Sequence, residues 1–155
     1  MEAVLSIIAI VISVVSGGFA LYTFLWTAQR DRKQATLEAY NRLQNEVFDK
    51  LNLYKPSEIR EICEDSTTEE YKEISGYLAR IEHFCVGVNT KIYDRKTFYA
   101  LAHGYFDGHQ LRKRIEPLID SKNQSKNSKE VFYNDTKSVL LWMDKKAAKN
   151  EHKTS

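Results

Sequence analysis

The apolar pattern of this chain changes character near residue 26. Residues 4–26 read VLSIIAIVISVVSGGFALYTFLW without one charged side chain, and the remainder of the chain is strongly polar. At roughly 1.5 Å per residue this stretch makes a helix about 35 Å long, enough to cross a hydrocarbon core of ~30 Å with a little tilt. Tyr22 and Trp26 fall where an interfacial aromatic belt is expected. Beyond the run, Leu37, Tyr40, Leu43, Val47 and Leu51 recur at helical spacing with no Gly or Pro before Pro56. The spacing predicts a first helix that continues out of the span, a break within residues 27–32 being the alternative. Pro56 ends it by restricting Lys55 to extended backbone, and residues 57–64 make at most a short helix with Ile59, Ile62 and Cys63.

The best periodicity lies next along the chain: Tyr71, Ile74, Leu78, Ile81, Cys85 and Val88 alternate at threes and fours, behind a capping-box pattern of Ser66 and Glu69. This is the expected central helix. Gly76 and Gly87 interrupt it at up to about 1 kcal/mol each relative to Ala, a cost that close helix crossings would explain. Asp94 is the expected N-cap of a helix bearing Phe98, Leu101 and Ala102. Gly104 and Gly108 should loosen or break that helix before Leu111, Ile115, Leu118 and Ile119, with Pro117 kinking or shortening the turn. Residues 121–129, SKNQSKNSK, read as a solvated loop. A last helix carries Phe132, Val139, Leu140 and Met143 with Trp142 beside them, and a basic, frayed tail begins at Lys145. No strand-length run alternates with period two, so the expected fold is all-α: a single N-terminal transmembrane helix and a small helical bundle. The expected division is an anchor at 1–27, a juxtamembrane helix at 28–56, a bundle at 57–145 and a flexible tail at 146–155.

A removable signal peptide fits the first segment poorly. Only Met1 to Ala3 precede the run, one of them the acidic Glu2, the run exceeds ~7–15 residues, and it has no A-x-A-like site after it. A buried core helix fails on length and on apolarity around the whole circumference. Arg30, Arg32 and Lys33 crowd one flank and no Lys or Arg the other, so the positive-inside rule puts the bundle in the cytoplasm and the N-terminus outside, in an inner (cytoplasmic) membrane. Cys63 and Cys85 then meet a reducing compartment and are expected as single buried thiols. Lys+Arg 23 against Asp+Glu 21 leaves a net charge of +2, so no global basic field argues for DNA or RNA. A mean hydropathy of -0.49 despite the span makes the remainder very polar, with room for one core.

The string YLARIEHFCVGVNTKIYDRKTFYAL, then IEPLI and a final helix with Tyr133 and Leu140, resembles the bacterial DUF4760 family, small and often membrane-anchored proteins of unknown function. The resemblance covers roughly residues 37–142. Its matching positions are Tyr77, Leu78, Glu82, Gly87, Tyr93, Asp94, Pro117 and Ile119. It implies a fold and no activity.

Candidate chemistry is sparse. Glu82 flanks the central apolar stripe and needs a partner: an ion pair or N-terminal cap with one of Arg95, Lys91 or a tyrosine hydroxyl from a neighbouring helix is favoured over a general base. His83, Cys85, His103 and His109 invite a metal, but residues two apart on a helix do not face the same way, and no H-E-x-x-H, paired C-x-x-C, G-x-S-x-G or Walker pattern occurs. No metal, cofactor or enzymatic reaction is expected. His109, Arg112, Lys113 and Arg114 after Tyr105 and Phe106 form the best basic and aromatic cluster, for a phosphate, a nucleotide, anionic headgroups or a protein partner, against a solvated helix face flanked by Asp107 and Glu116. Ala9, Ser13 and Gly17 recur every four residues, a small-xxx-small stripe that permits a homo-oligomer through the span. Two functions remain: a non-catalytic membrane-tethered module that binds a protein partner, and an effector that senses a small signal, such as a nucleotide in phage defence, and perturbs the bilayer through oligomerised anchors.

Overall fold

The computed structural model describes residues 1–107, 110–124 and 133–154. Among these it is all helix: α1 over Glu2–Leu51, α2 over Pro56–Glu64, α3 over Glu69–Asn89, α4 over Arg95–Asp107, α5 over Gln110–Gln124 and α6 over Asn134–Thr154. With no proline and no internal break, α1 is a single rod of 50 residues, about 75 Å long. The alternative of a break within residues 27–32 does not occur. α1 is α-helical over Glu2–Leu43, widens into one π-helical turn over Gln44–Phe48 and closes with Asp49–Leu51. It is long and apolar enough at its N-terminal end to cross a membrane. Every large apolar side chain in residues 4–26 is exposed, the least of them Ile8 at 49%.

Further along, α1 enters the bundle. Tyr40, Leu43, Val47 and Leu51 are buried as the spacing predicts and Phe48 joins them, but Leu37 is exposed and Thr36 takes its place in the interior. The reason is polar. The Thr36 hydroxyl donates to the Arg32 carbonyl at 2.7 Å and accepts the Asp94 N–H at 2.7 Å, satisfying a backbone donor that leucine would orphan. The π turn lets the adjacent Val47 and Phe48 both face the core.

Pro56 occupies the first turn of α2, and the Glu58 carboxylate accepts the Lys55 N–H at 2.7 Å. The cap of α3 differs from the predicted Ser66–Glu69 box. Asp65 binds the Thr67 N–H and hydroxyl, which advances the turn so that the Thr68 hydroxyl accepts from the Tyr71 N–H at 3.2 Å. Glu69 is then the first helical residue. α3 buries Ile74, Leu78, Ile81, Cys85 and Val88 as expected. Its two glycines part ways. A Cβ on Gly87 would lie 2.4 Å from the Tyr93 ring, whereas Gly76 is exposed with open space beside it, so the helix crossing expected there is absent.

α4 starts on Asp94, whose carboxylate accepts the Thr97 N–H and hydroxyl, both at 2.8 Å, and it runs through Gly104; Gly108 lies outside the described residues. α5 passes Pro117 and extends to Gln124, so residues 121–124 are helix rather than loop, while 125–129 lie outside the described residues. Its last turn is steadied by the Ser121 hydroxyl, 3.4 Å from the Cys63 carbonyl. α6 buries Val139, Leu140 and Met143; Phe132 lies outside the described residues. The tail expected to fray from Lys145 continues helical to Thr154. Its Ala and Lys residues favour helix, and Lys146 Nζ lies 3.8 Å from the Tyr99 ring centroid.

α3 packs against α6, α2 against α5, and α1 against α4. Tyr40, Phe48, Phe84 and Phe98 meet edge to face where α1, α3 and α4 converge. Cys85 is a buried thiol, as expected, whereas Cys63 is only half-buried.

Candidate functional site

α1 and α3 run antiparallel, as successive contacts show: Lys50 over the Tyr77 ring, Glu46 to Arg80 at 3.1 Å, and Tyr40 against Phe84. Between them lies an open groove of about 410 Å³. Its floor is apolar, made by Leu43, Val47, Phe84 and Tyr93, and the small side chains of Ala39 and Ala79 leave the gap. Arg42, Glu46, Arg80 and His83 form its rim. The Glu46–Arg80 pair has half-exposed partners and contributes little to stability, which leaves it free to exchange partners. Among the described residues of the lining, the carboxylate of Glu46 faces Arg80. Apolar side chains below and mixed charge at the edges are the make-up of a contact surface. The π turn contributes Glu46 and Val47, and single π turns inside long helices recur at functional sites.

The basic cluster expected at residues 109–114 does not act as a unit among the described residues. Arg112 Nη2 donates to both carboxylate oxygens of Asp144 at 3.0 Å, with Glu116 at 3.8 Å, and so ties α5 to α6. Arg114 Nε donates to the Tyr54 carbonyl at 3.0 Å, tying α5 to the turn after α1. Lys113 is exposed, and His109 lies outside the described residues.

Of the roles expected for Glu82, it is the N-terminal cap that forms, on the distant helix α6. Its carboxylate accepts the Asp135 N–H at 3.1 Å, the Thr136 N–H at 2.8 Å and the Thr136 hydroxyl at 2.5 Å, satisfying the first donors of α6 and opposing that helix's positive end. Beside it the Asn89 amide donates to Asp135 Oδ1 at 2.7 Å and accepts from Arg95 Nη2 at 2.7 Å. Arg95 lies over the Trp142 ring. The remaining family-pattern residues are also structural. The Tyr77 hydroxyl donates to Glu73, Leu78 and Ile119 are buried, Tyr93 stacks on Phe84 above Gly87, Asp94 caps α4, and Pro117 is half-buried inside α5.

Of the four residues weighed as metal ligands, His83 and His103 are exposed, His103 stacks on Tyr99, and Cys85 is a buried thiol whose burial pushes it up to about 12. Among the described residues no three His, Cys, Asp or Glu side chains gather to hold a metal ion. Ala9, Ser13 and Gly17 lie on the exposed part of α1, with open space beside Gly17. The α1/α3 groove was not anticipated from the sequence. Its trace there is slight: Arg42 and Glu46 one turn apart, and Ala39 and Ala79 where larger apolar residues would close it.

Neither the curated proteins nor the solved structures include a match to this chain. Residues 10–142, from within the apolar stretch to the middle of α6, match the family described as Domain of unknown function (DUF4760). With the greater part of its length inside that match, the chain belongs to the DUF4760 family.

Proposed function

We propose that this protein is a membrane-tethered, non-catalytic interaction module. Residues 4–26 hold it in the inner membrane, Arg30, Arg32 and Lys33 keep the bundle cytoplasmic with the N-terminus outside, and the α1/α3 groove receives a segment of a protein partner. The observation that carries the reading is that one helix supplies both the exposed apolar stretch and a wall of the groove. The fitting ligand is a helix or extended segment with aliphatic anchors for Leu43, Val47 and Phe84 and an acidic side chain for Arg42.

The same continuity favours a second reading, the effector. A ligand in the groove touches the rod whose other end lies in the bilayer, so its binding is able to bias the packing of anchors through Ala9, Ser13 and Gly17.

The test places a photo-crosslinking amino acid at Ala79, which is exposed on the groove wall, in the full-length protein in cells. A discrete protein adduct is expected, lost on Arg42→Glu and kept when residues 4–26 are exchanged for an unrelated apolar helix. No protein adduct from a stably expressed chain counts against the module. Membrane depolarisation by the native anchor and not by the exchanged one supports the effector instead.

A further inference from the structure

The bundle end nearest the apolar stretch is the turn at residues 90–94. α3 descends α1 toward residue 36, and α4 starts there with its Asp94 N–H on Thr36, so the turn between them closes that end. The Asp94 N–H sits on Thr36 and Lys33 helps hold its carboxyl down, so the turn lies between the levels of Lys33 and Thr36. From Trp26 the helix runs seven residues to Lys33 and ten to Thr36, a rise of about 10–15 Å. A headgroup layer occupies roughly 5–7 Å per leaflet, and the screening length is about 8 Å at physiological salt. The turn is therefore held within electrostatic reach of any bilayer that α1 crosses.

What it presents there is basic with an apolar tip. Lys91, Ile92 and Lys96 are exposed, Ile92 at 63%. Asp94 is the one acid of the turn, and its carboxylate is engaged by Thr97. Lys91 sits at φ 63, a conformation that glycine or asparagine adopts at less cost. On the helix itself Arg30 lies over the Trp26 ring, as a cation at a headgroup boundary would.

We propose that the turn at residues 90–94 is a second membrane contact, in which Lys91 and Lys96 bind anionic lipid headgroups and Ile92 dips into the interface. This rests on the tether reading. It fixes how the bundle sits: the rod tilts until the turn touches, which sets the direction in which the α1/α3 groove opens relative to the bilayer.

The experiment uses the full-length chain in vesicles of phosphatidylcholine alone or mixed with phosphatidylserine. Nitroxide labels go on Ile92→Cys and, separately, Ala9→Cys, both with Cys63→Ser, since Cys85 is buried. Exposure of each label to dissolved oxygen, which partitions into lipid, is compared with exposure to a water-soluble nickel chelate. Label 92 should shift from chelate to oxygen on adding phosphatidylserine. Lys91→Asn should reverse the shift by about fivefold, the effect of one lysine near an anionic surface, without lowering the melting temperature, because asparagine suits φ 63 at least as well. An Ile92 label equally open to the chelate in both lipids, with the Ala9 label in oxygen-rich lipid, overturns the second contact and leaves the tether standing. An Ala9 label open to the chelate overturns both. A melting temperature that falls with Lys91→Asn assigns the lysine to folding and counts against the proposal.

Discussion

The two ends of α1 are one continuous backbone under opposite rules. Phe19 is 70% exposed and Phe48 is fully buried, although both are phenylalanines on the same unbroken helix. Across residues 4–26 apolar side chains point in every direction, so no position there is distinguished from its neighbours except by size. From residue 36 on, each position has an address: Thr36 is inside and Leu37 outside, and Phe48 stacks on Tyr105 at a ring separation of 4.9 Å. A uniform surrounding asks only for hydrophobicity, while a packed one asks for shape and for every buried polar group to be satisfied.

The largest effect that can break this comparison is therefore a matched pair of truncations. Phe48→Ala should lower the unfolding free energy of the bundle by about 3–5 kcal/mol, through lost transfer energy and the cavity left behind. Phe19→Ala should leave bundle melting within about 0.5 kcal/mol of the wild type. Thermal unfolding of the full chain in detergent, followed by near-ultraviolet circular dichroism, reads both. Comparable drops in melting temperature would mean that residues 4–26 pack against the bundle, contrary to their exposure.

The same contrast explains what was legible in the sequence. The apolar run, the stripe from Tyr71 to Val88, the Asp94 cap and the all-helical fold rest on local periodicity and local hydrogen bonding, which a linear pattern records. The misread positions mostly depend on groups far away in the chain. Thr36 is buried because Asp94 needs an acceptor 58 residues away, and which helix Glu82 caps was not legible because the Asp135 N–H it accepts lies 53 residues on. Arg112 and Arg114 read as a binding cluster or a solvated helix face because Asp144 and the Tyr54 carbonyl are not visible from helix α5 alone. The misplaced α3 cap has a local cause instead, since Asp65 competes for the turn and moves the helix start past Ser66. The groove was invisible for the complementary reason: it is made of what is missing, the side-chain volume at Ala39 and Ala79.

A middling effect is expected at the joint where α1 passes from the exposed regime to the packed one. Asp94→Ala should cost about 1 kcal/mol at neutral pH, the usual loss of an N-cap. Burial by itself would raise the Asp94 carboxyl, but the two Thr97 hydrogen bonds, with Lys33 and Lys96, more than offset it and hold the group below 3.8. Because the folded value is depressed, the stabilisation is present above 3.8 and is lost as the pH falls from there through the folded value. Denaturant titrations of wild type and Asp94→Ala should accordingly diverge at neutral pH and converge in acid. A gap that persists unchanged at low pH would show that the capping carboxylate is not what Asp94 contributes.

The smallest effect, with the opposite sign, tests whether exposed and packed surfaces can be told apart within one helix of the bundle. Gly76 and Gly87 lie about three turns apart on α3, and sequence alone assigns them the same cost. Gly87 is buried under the Tyr93 ring, which itself stacks on Phe84 at 5.0 Å, so a methyl group there has to displace a packed aromatic pair. Gly76 faces open space, and a methyl group there meets nothing within 4 Å. Gly76→Ala should then stabilise the bundle by about 0.5–1 kcal/mol, from the backbone entropy removed from the unfolded chain and the better helix propensity of alanine. Gly87→Ala should lower the melting temperature under identical conditions. If Gly76→Ala also lowers it, that face of α3 is covered in the folded protein, and the search for a partner surface moves there from the α1/α3 groove.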